Sequence, residues 1–293
     1  VTVRPPSPPG LTEPGRTGLP GVPAPAGGGP AGPVPARTPD DAAGRGGAGG
    51  ELTGAVHSWD ISVGVDGPGT RFVTFLAGCP LRCRYCHSPD TWYRRSGRHR
   101  TVDELIAEIS RYRRFIQVAG GGVTLSGGEP LLQPRFTGEV LRRCHELGLH
   151  TALDTSGFLG VRADDALLDA TDLVLLDVKS WDPATYRRVT RTGSVAPTLR
   201  FGRRLAERGT PIWIRFVLVP GLTDAEENVA GVADFAAELA TVQRVEVLPF
   251  HRLGAHKYAD LGLTFPLADT EPPTPELLDR VRGQFAERGV TVY

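Results

Sequence analysis

Six short apolar segments, spaced so that a helix fits between them, constrain this chain more than any other feature. They are 71–77, 122–125, 150–154, 172–177, 211–219 and 243–249. Several are rich in Val, Ile and Leu, as strands buried on both faces should be. Between them the periodicity changes. Thr101, Val102, Asp103 and Glu104 read as a capping box, followed by Val102, Leu105, Ile106, Ile109 and Ile116 on one helical face. Phe136, Val140, Leu141, Cys144 and Leu147 mark a second helix that Gly148 would end. Segments 225–239 and 275–287 read as two more. Strand–helix alternation of this kind predicts an α/β fold with a parallel sheet and right-handed crossovers. An open doubly wound sheet and an incomplete barrel both satisfy it.

The alternation occupies 51–293 and is absent from 1–50. Within those fifty residues 12 are Pro and 13 are Gly, with no aromatic residue and no Cys. Such a composition buries too little apolar surface to offset ordering entropy, so a disordered tail is expected. The other 243 residues suit one domain. Lys plus Arg and Asp plus Glu are 33 each, so the formal net charge is zero. That argues against a chain-wide cationic field for nucleic acid or an anionic membrane. No apolar run approaches the ~18 residues of a membrane span, and no secretory signal core is evident. Four Cys are too few for a disulfide scaffold, so a cytoplasmic protein is expected, in which clustered thiols mean metal or redox chemistry.

The residues that follow each predicted strand are unusual. After the first come Cys79, Cys83, Cys86 and His87, and after the second Ser126, Gly127, Gly128 and Glu129. The third ends in Asp154 and Thr155, and the fourth in Asp177, Val178 and Lys179. The fifth carries Arg215 and the sixth runs into His251. In parallel α/β folds ligands bind at the carboxyl ends of strands, so all six motifs fall on one rim.

The three cysteines are spaced C-x3-C-x2-C. Structural zinc asks for four ligands, and Cys144, on the apolar face of a helix, reads as a core thiol. Three thiolates with one open position suit an iron–sulfur cluster that has one uniquely ligated iron, though zinc remains the alternative. Glu129 could accept from a ligand amino group or belong to a turn. Lys stands only at 179 and 257, which gives Lys179 weight, because a compact ammonium is not interchangeable with guanidinium. Asp154 and Asp177 end successive strands, and two carboxylates there repel unless a cation lies between them; the alternative for each is a helix N-cap. Arg215, within an apolar strand, needs a carboxylate partner from a ligand or from the protein. The four Trp residues read as packing groups.

These residues resemble the radical S-adenosylmethionine (SAM) superfamily, whose signature is the C-x3-C-x2-C motif. Asp66 to Phe72, Tyr85 to Trp92, Gly120 to Glu129, Leu153 to Phe158, Asp172 to Lys179, Trp213 to Gly221 and Leu248 to Tyr258 narrow the resemblance. They are similar to the glycyl-radical-enzyme activases, and within these to the pyruvate formate-lyase activating enzymes. The resemblance covers about 52–293. It implies a partial (β/α)6 barrel and a 4Fe–4S cluster on Cys79, Cys83 and Cys86, with SAM chelating the fourth iron. It implies that Tyr85, Cys86, His87, Gly128, Asp177, Val178, Lys179 and His251 surround SAM. A monovalent cation would be held by Asp154, Thr155, Asp177 and the Leu175 carbonyl, and a substrate peptide would lie near Asp66 and Arg215. The implied reaction is reductive SAM cleavage to a 5′-deoxyadenosyl radical that takes a hydrogen from a partner glycine under anaerobic conditions, with no protein acid or base. The implied partners are pyruvate formate-lyase, or another glycyl radical enzyme, and a flavodoxin or ferredoxin as electron donor. A monomer that binds neither nucleic acid nor membrane is expected. With four Cys, the chain has no room for the additional ferredoxin-like module that many other activases carry. The contrasting reading is a non-catalytic zinc protein.

Overall fold

In the computed structural model, described for residues 51–293, the six predicted segments form the parallel part of one eight-stranded sheet. The predicted tail, 1–50, lies outside the described residues. The chain opens with β1 (Thr53–Val63) and β2 (Thr70–Leu76), then β3 (Arg98–Thr101) and α1 (Val102–Val118). It continues through β4 (Gly122–Gly127), α2 (Pro134–Glu146), β5 (His150–Thr155), α3 (Asp165–Asp169) and β6 (Leu173–Asp177). Two helices, α4 (Pro183–Thr190) and α5 (Ala196–Glu207), precede β7 (Ile212–Leu218). Then come α6 (Glu226–Glu238), β8 (Val242–Pro249), α7 (Ala255–Asp260) and α8 (Pro275–Ala286).

The sheet order is β3-β1-β2-β4-β5-β6-β7-β8, with β2 to β8 parallel and β1 antiparallel to both β2 and β3. It is open, running from β3 at one edge to β8 at the other. The C-terminal segment lies along β8 through a parallel bridge between Val245 and Val292. Strands β1 and β3 were not among the expected segments. Both are antiparallel and leave one face to solvent, so their residues (RHRT in β3) carry no apolar run.

Each strand turns alternate residues to the helices and to the concave side. Ile214, Phe216 and Leu218 of β7 join the main core with Val174 and Leu176 of β6 and the buried faces of α1, α2, α5 and α6. Trp213 instead packs on the concave side with Ala152, Leu173 and Leu175. The expected apolar face of α1 is buried, and its capping box forms: Glu104 N–H donates to Thr101 Oγ1 at 3.1 Å, and Thr101 N–H to Glu104 Oε2 at 3.1 Å. Helix α2 ends before Gly148, which adopts φ +69°, a left-handed conformation that favours glycine. Helices α3, α4, α5 and α7 were not among the expected helices. The first, second and fourth are eight residues or shorter; the third is a continuous twelve-residue helix that buries Thr198, Phe201, Gly202 and Leu205 on one face.

Candidate active site

Side chains from all six parallel strands reach one cavity of about 430 Å³ on the concave side, within the range of roughly 300–1,000 Å³ usual for small-molecule sites. Phe75, Ser126, Asp154, Asp177, Arg215 and Leu248 each come from a different strand and each line it. A flat sheet could not bring them together, so the strands curve as an incomplete barrel does. Of the expected site residues, Cys79, Cys83, Cys86, Tyr85, His87, Gly128, Asp154, Thr155, Asp177, Lys179, His251, Asp66 and Arg215 line this cavity.

Two expected residues do not. Val178 is fully buried in the main core, and its N–H donates to the Arg215 carbonyl at 3.0 Å. The chain alternates at the strand end, so Asp177 and Lys179 face the cavity and the residue between them faces away. Leu175 lies in the apolar cluster beneath the cavity, two residues before Asp177.

The cysteine loop follows β2. Cys79 N–H donates to the Trp92 carbonyl at 3.1 Å, and the Trp92 indole N–H donates to Cys86 Sγ at 3.3 Å. Trp92 therefore ties the first and last cysteines together, which a packing role did not anticipate. The Tyr258 hydroxyl donates to the Cys86 carbonyl at 3.1 Å, and its ring meets Trp92 edge-on at 5.7 Å. Lys257 pairs with Asp90 at 3.1 Å, so α7 is strapped to the loop at two points. His87 and His251 meet edge to face at 4.9 Å, both exposed at the cavity mouth.

Burial pushes the thiols of Cys79 and Cys86 up, and that of Cys83 up to about 12. Left alone they stay protonated; a bound metal centre supplies the positive charge that makes thiolates stable here. Among the described residues no three His, Cys, Asp or Glu side chains converge as ligands of a single ion do. Mononuclear zinc calls for that convergence, whereas the thiolates of a cluster bind separate irons. Cys144 is buried in the main core, apart from the other three. The Tyr85 hydroxyl is buried with no hydrogen-bond partner in the protein, and Tyr85 lines the cavity, so a ligand there would satisfy it. Donor set and orphaned hydroxyl both fit a cluster with a polar ligand beside it.

Charges on the wall are unbalanced. Asp66, Asp154 and Asp177 face Lys179 and Arg215. Lys179 bonds Asp177 at 2.7 Å and lies 5.7 Å from the Tyr85 ring. Burial would lower the Lys179 pKa, but Asp177 and its other neighbours hold it well above the usual lysine range. Arg215 finds its partners within the protein. It meets Glu246 at 3.0 Å, Asp154 at 3.4 Å and Asp66 at 3.8 Å, and it donates to the Val65 carbonyl. Burial, with Asp177 adding to it, pushes Asp154 up to about 6 against the pull of Arg215. Ser126 donates to the same carboxylate at 2.6 Å, so Asp154 is no helix cap.

Glu129 does not face the cavity. Fully enclosed, its carboxylate accepts from the Leu131 and Ser156 N–H groups and the Thr155 and Ser156 hydroxyls. It ties the end of β4 to the end of β5 and does not meet a ligand. Ser126, Trp92, Glu246 and Tyr258 were not among the expected site residues. The rim position of Ser126 was a signal for it; Glu246 and Tyr258 are set by pairings distant in sequence, whereas Trp92 lies six residues after Cys86 and is placed by the fold of the loop itself.

The Radical SAM superfamily profile matches residues 73–233. The chain is 40% identical over 241 residues to the pyruvate formate-lyase 1-activating enzyme of Escherichia coli strain K12, covering 81% of this chain and 97% of that one. It is 44% identical over 220 residues to the pyruvate formate-lyase-activating enzyme of Clostridium pasteurianum, covering 75% and 92%. The chain belongs to the pyruvate formate-lyase-activating enzyme family of radical SAM proteins. A radical SAM methyltransferase from Sphaerobacter thermophilus shares the fold, with a TM-score of 0.55 at 18% identity over 76% of this chain and 65% of that one. Radical SAM membership implies SAM and a 4Fe–4S cluster, and the cavity offers a charged wall for the first and three cysteines for the second. Among the described residues no helix is long and apolar enough to cross a membrane.

Proposed function

We propose that this protein activates pyruvate formate-lyase in the anaerobic cytoplasm by generating a glycyl radical on it. The observation that carries this reading is the convergence of the three cysteines, Tyr85, Lys179 and the Asp154–Asp177 pair on one cavity, in a chain that spans nearly the full length of relatives bearing that name. Held by Cys79, Cys83 and Cys86, a reduced cluster would supply the one electron needed for reductive cleavage of SAM, the chemistry that would remove a hydrogen atom from the partner glycine.

The residues of the chain position and shield. Cys79, Cys83 and Cys86 hold the cluster, and Trp92 keeps the first and third at fixed spacing. Tyr85, His87, Gly128, Asp177, Lys179 and His251 surround SAM, with the buried Tyr85 hydroxyl as an unused donor and acceptor. The excess carboxylate at Asp154 and Asp177 takes a monovalent cation or the positive charge of SAM. Asp66 and Arg215 stand at the side from which a partner backbone enters. A buried, apolar-floored cavity excludes water that would otherwise quench a radical. A flavodoxin or ferredoxin supplies the electron.

The test is anaerobic. The reconstituted, reduced protein is mixed with SAM and purified pyruvate formate-lyase, and the glycyl radical is followed by electron paramagnetic resonance alongside 5′-deoxyadenosine. Both signals are expected, and Cys83→Ala is expected to lose its iron and both products. Deoxyadenosine without the radical would point to a different glycyl radical enzyme as partner. A protein that loads zinc and forms neither product would overturn the reading.

A further inference from the structure

The outer side of the cysteine loop is ringed by arginine. Arg82 and Arg84 lie within the loop, Arg94 and Arg95 follow it, and Arg188 and Arg191 stand at the end of α4. Backbone hydrogen bonds bring these three stretches together: Arg82 N–H donates to the Thr190 carbonyl and Arg84 N–H to the Val189 carbonyl, each at 2.9 Å. Gly78 N–H donates to the Thr91 carbonyl at 2.7 Å, and the Arg94 stem packs over Gly78.

None of the six arginines lines the cavity, and none pairs with a carboxylate of the described residues. The acid in this stretch, Asp90, is taken by Lys257 at 3.1 Å. A chain of zero net charge therefore gathers unneutralised positive charge at one place, beside the three half-buried cysteines. Aromatic rings hold part of it in order. The Arg82 guanidinium lies 5.2 Å from both the Trp92 and Tyr93 rings, and that of Arg95 lies 4.5 Å from Tyr93. Arg82 also donates to the Cys79 carbonyl at 2.6 Å, so the patch is bonded directly to the loop.

We propose that this arginine collar is the docking surface for an acidic one-electron carrier protein that reduces the cluster. This rests on the function proposed above. The cavity side of the loop is committed to SAM and the partner glycine, so an electron has its shortest remaining route through the outer face. The carrier loses one electron and the cluster gains it; no bond forms and no proton moves. Arg94, Arg95, Arg188 and Arg191 are exposed, whereas Arg82 and Arg84 are half-buried; exposed unpaired cations attract an acidic partner over a Debye length and orient it, which acts mainly on the association rate.

The experiment compares two reductants on the loaded enzyme: a reduced flavodoxin of net negative charge, and dithionite. SAM cleavage is the readout, with binding of oxidised flavodoxin measured separately by calorimetry. In wild type, the flavodoxin-driven rate is expected to fall by at least about tenfold as ionic strength rises from about 20 to 200 mM. Arg94→Glu combined with Arg95→Glu is expected to weaken flavodoxin binding about tenfold or more and to slow that reduction alike. The dithionite-driven rate should stay unchanged. A salt-insensitive flavodoxin rate in wild type overturns the proposal without recourse to any variant. So does unweakened flavodoxin binding in the double variant, or a loss of pyruvate formate-lyase binding in its place. If dithionite drives no cleavage in wild type, the proposed function fails, and the calorimetry still decides the docking.

Discussion

Trp92 shows how much one side chain can do beyond filling space. Its backbone carbonyl accepts from Cys79 and its indole N–H reaches Cys86 Sγ at 3.3 Å. Hydrogen bonds to cluster sulfurs are among the levers that set a reduction potential, because a donor stabilises the more negative, reduced state. Trp92→Phe keeps an aromatic ring for Arg82 and Tyr258 and removes the donor. The variant is expected to load iron normally and to show a lower midpoint potential in a redox titration followed by electron paramagnetic resonance. An unchanged potential would reduce the indole to a packing group. Sequence pattern could not separate these roles, since Trp59, Trp92, Trp181 and Trp213 look alike in a list. Trp59 stacks on Phe72 at 4.9 Å, and Trp213 faces Arg244 across 3.3 Å.

At the scale of elements, the junction between β4 and the cysteine loop decides whether the site assembles. A Cβ on Gly128 would sit 2.3 Å from the Gly78 carbonyl oxygen and 3.1 Å from that of Thr91. Both neighbours are backbone, so neither can swing aside. Gly128→Ala should therefore destabilise the apoprotein by about 1–3 kcal/mol, the usual range for an overpacked site. It should also lower iron loading, because Gly78 directly precedes Cys79. Thermal denaturation and iron analysis check the two halves separately. The sequence placed Gly128 after the second strand, beside the expected SAM site, but not against the Gly78 backbone. The six parallel strands were legible because both their faces are buried and their composition says so. Strands β1 and β3 were not, since half-exposed antiparallel strands blend into polar sequence. The role of Glu129 stayed open for a similar reason. Its four donors come from Leu131, Thr155 and Ser156, and the last two are brought to it by a pairing of strands that spacing cannot reveal.

Across the whole molecule, the fold concentrates more carboxylate on the concave side than its cations neutralise. Burial, then repulsion by Asp177, outweighs Arg215 and lifts Asp154 to about 6, against about 3.9 in an unfolded chain. A carboxyl with a raised folded pKa favours folding below the unfolded pKa. That contribution is lost as pH rises through the folded pKa, here between about 4 and 6. A shift of this size corresponds to about 3 kcal/mol, as an order of magnitude. At neutral pH the apoprotein thus carries a cost that a bound cation can relieve; near pH 5 a proton already relieves it. Potassium chloride, compared with a bulky quaternary ammonium salt at equal ionic strength, is expected to raise the melting temperature by several degrees at pH 7.5. For a domain of this size each kcal/mol is worth about 2–4 °C. At pH 5 the difference should largely vanish, because the cation then has to displace the proton. Asp154→Asn should flatten the pH slope between about 4 and 6 and abolish the potassium effect together. Equal potassium stabilisation at both pH values, or its survival in Asp154→Asn, would place any cation away from Asp154 and leave the raised carboxyl to be relieved by SAM alone.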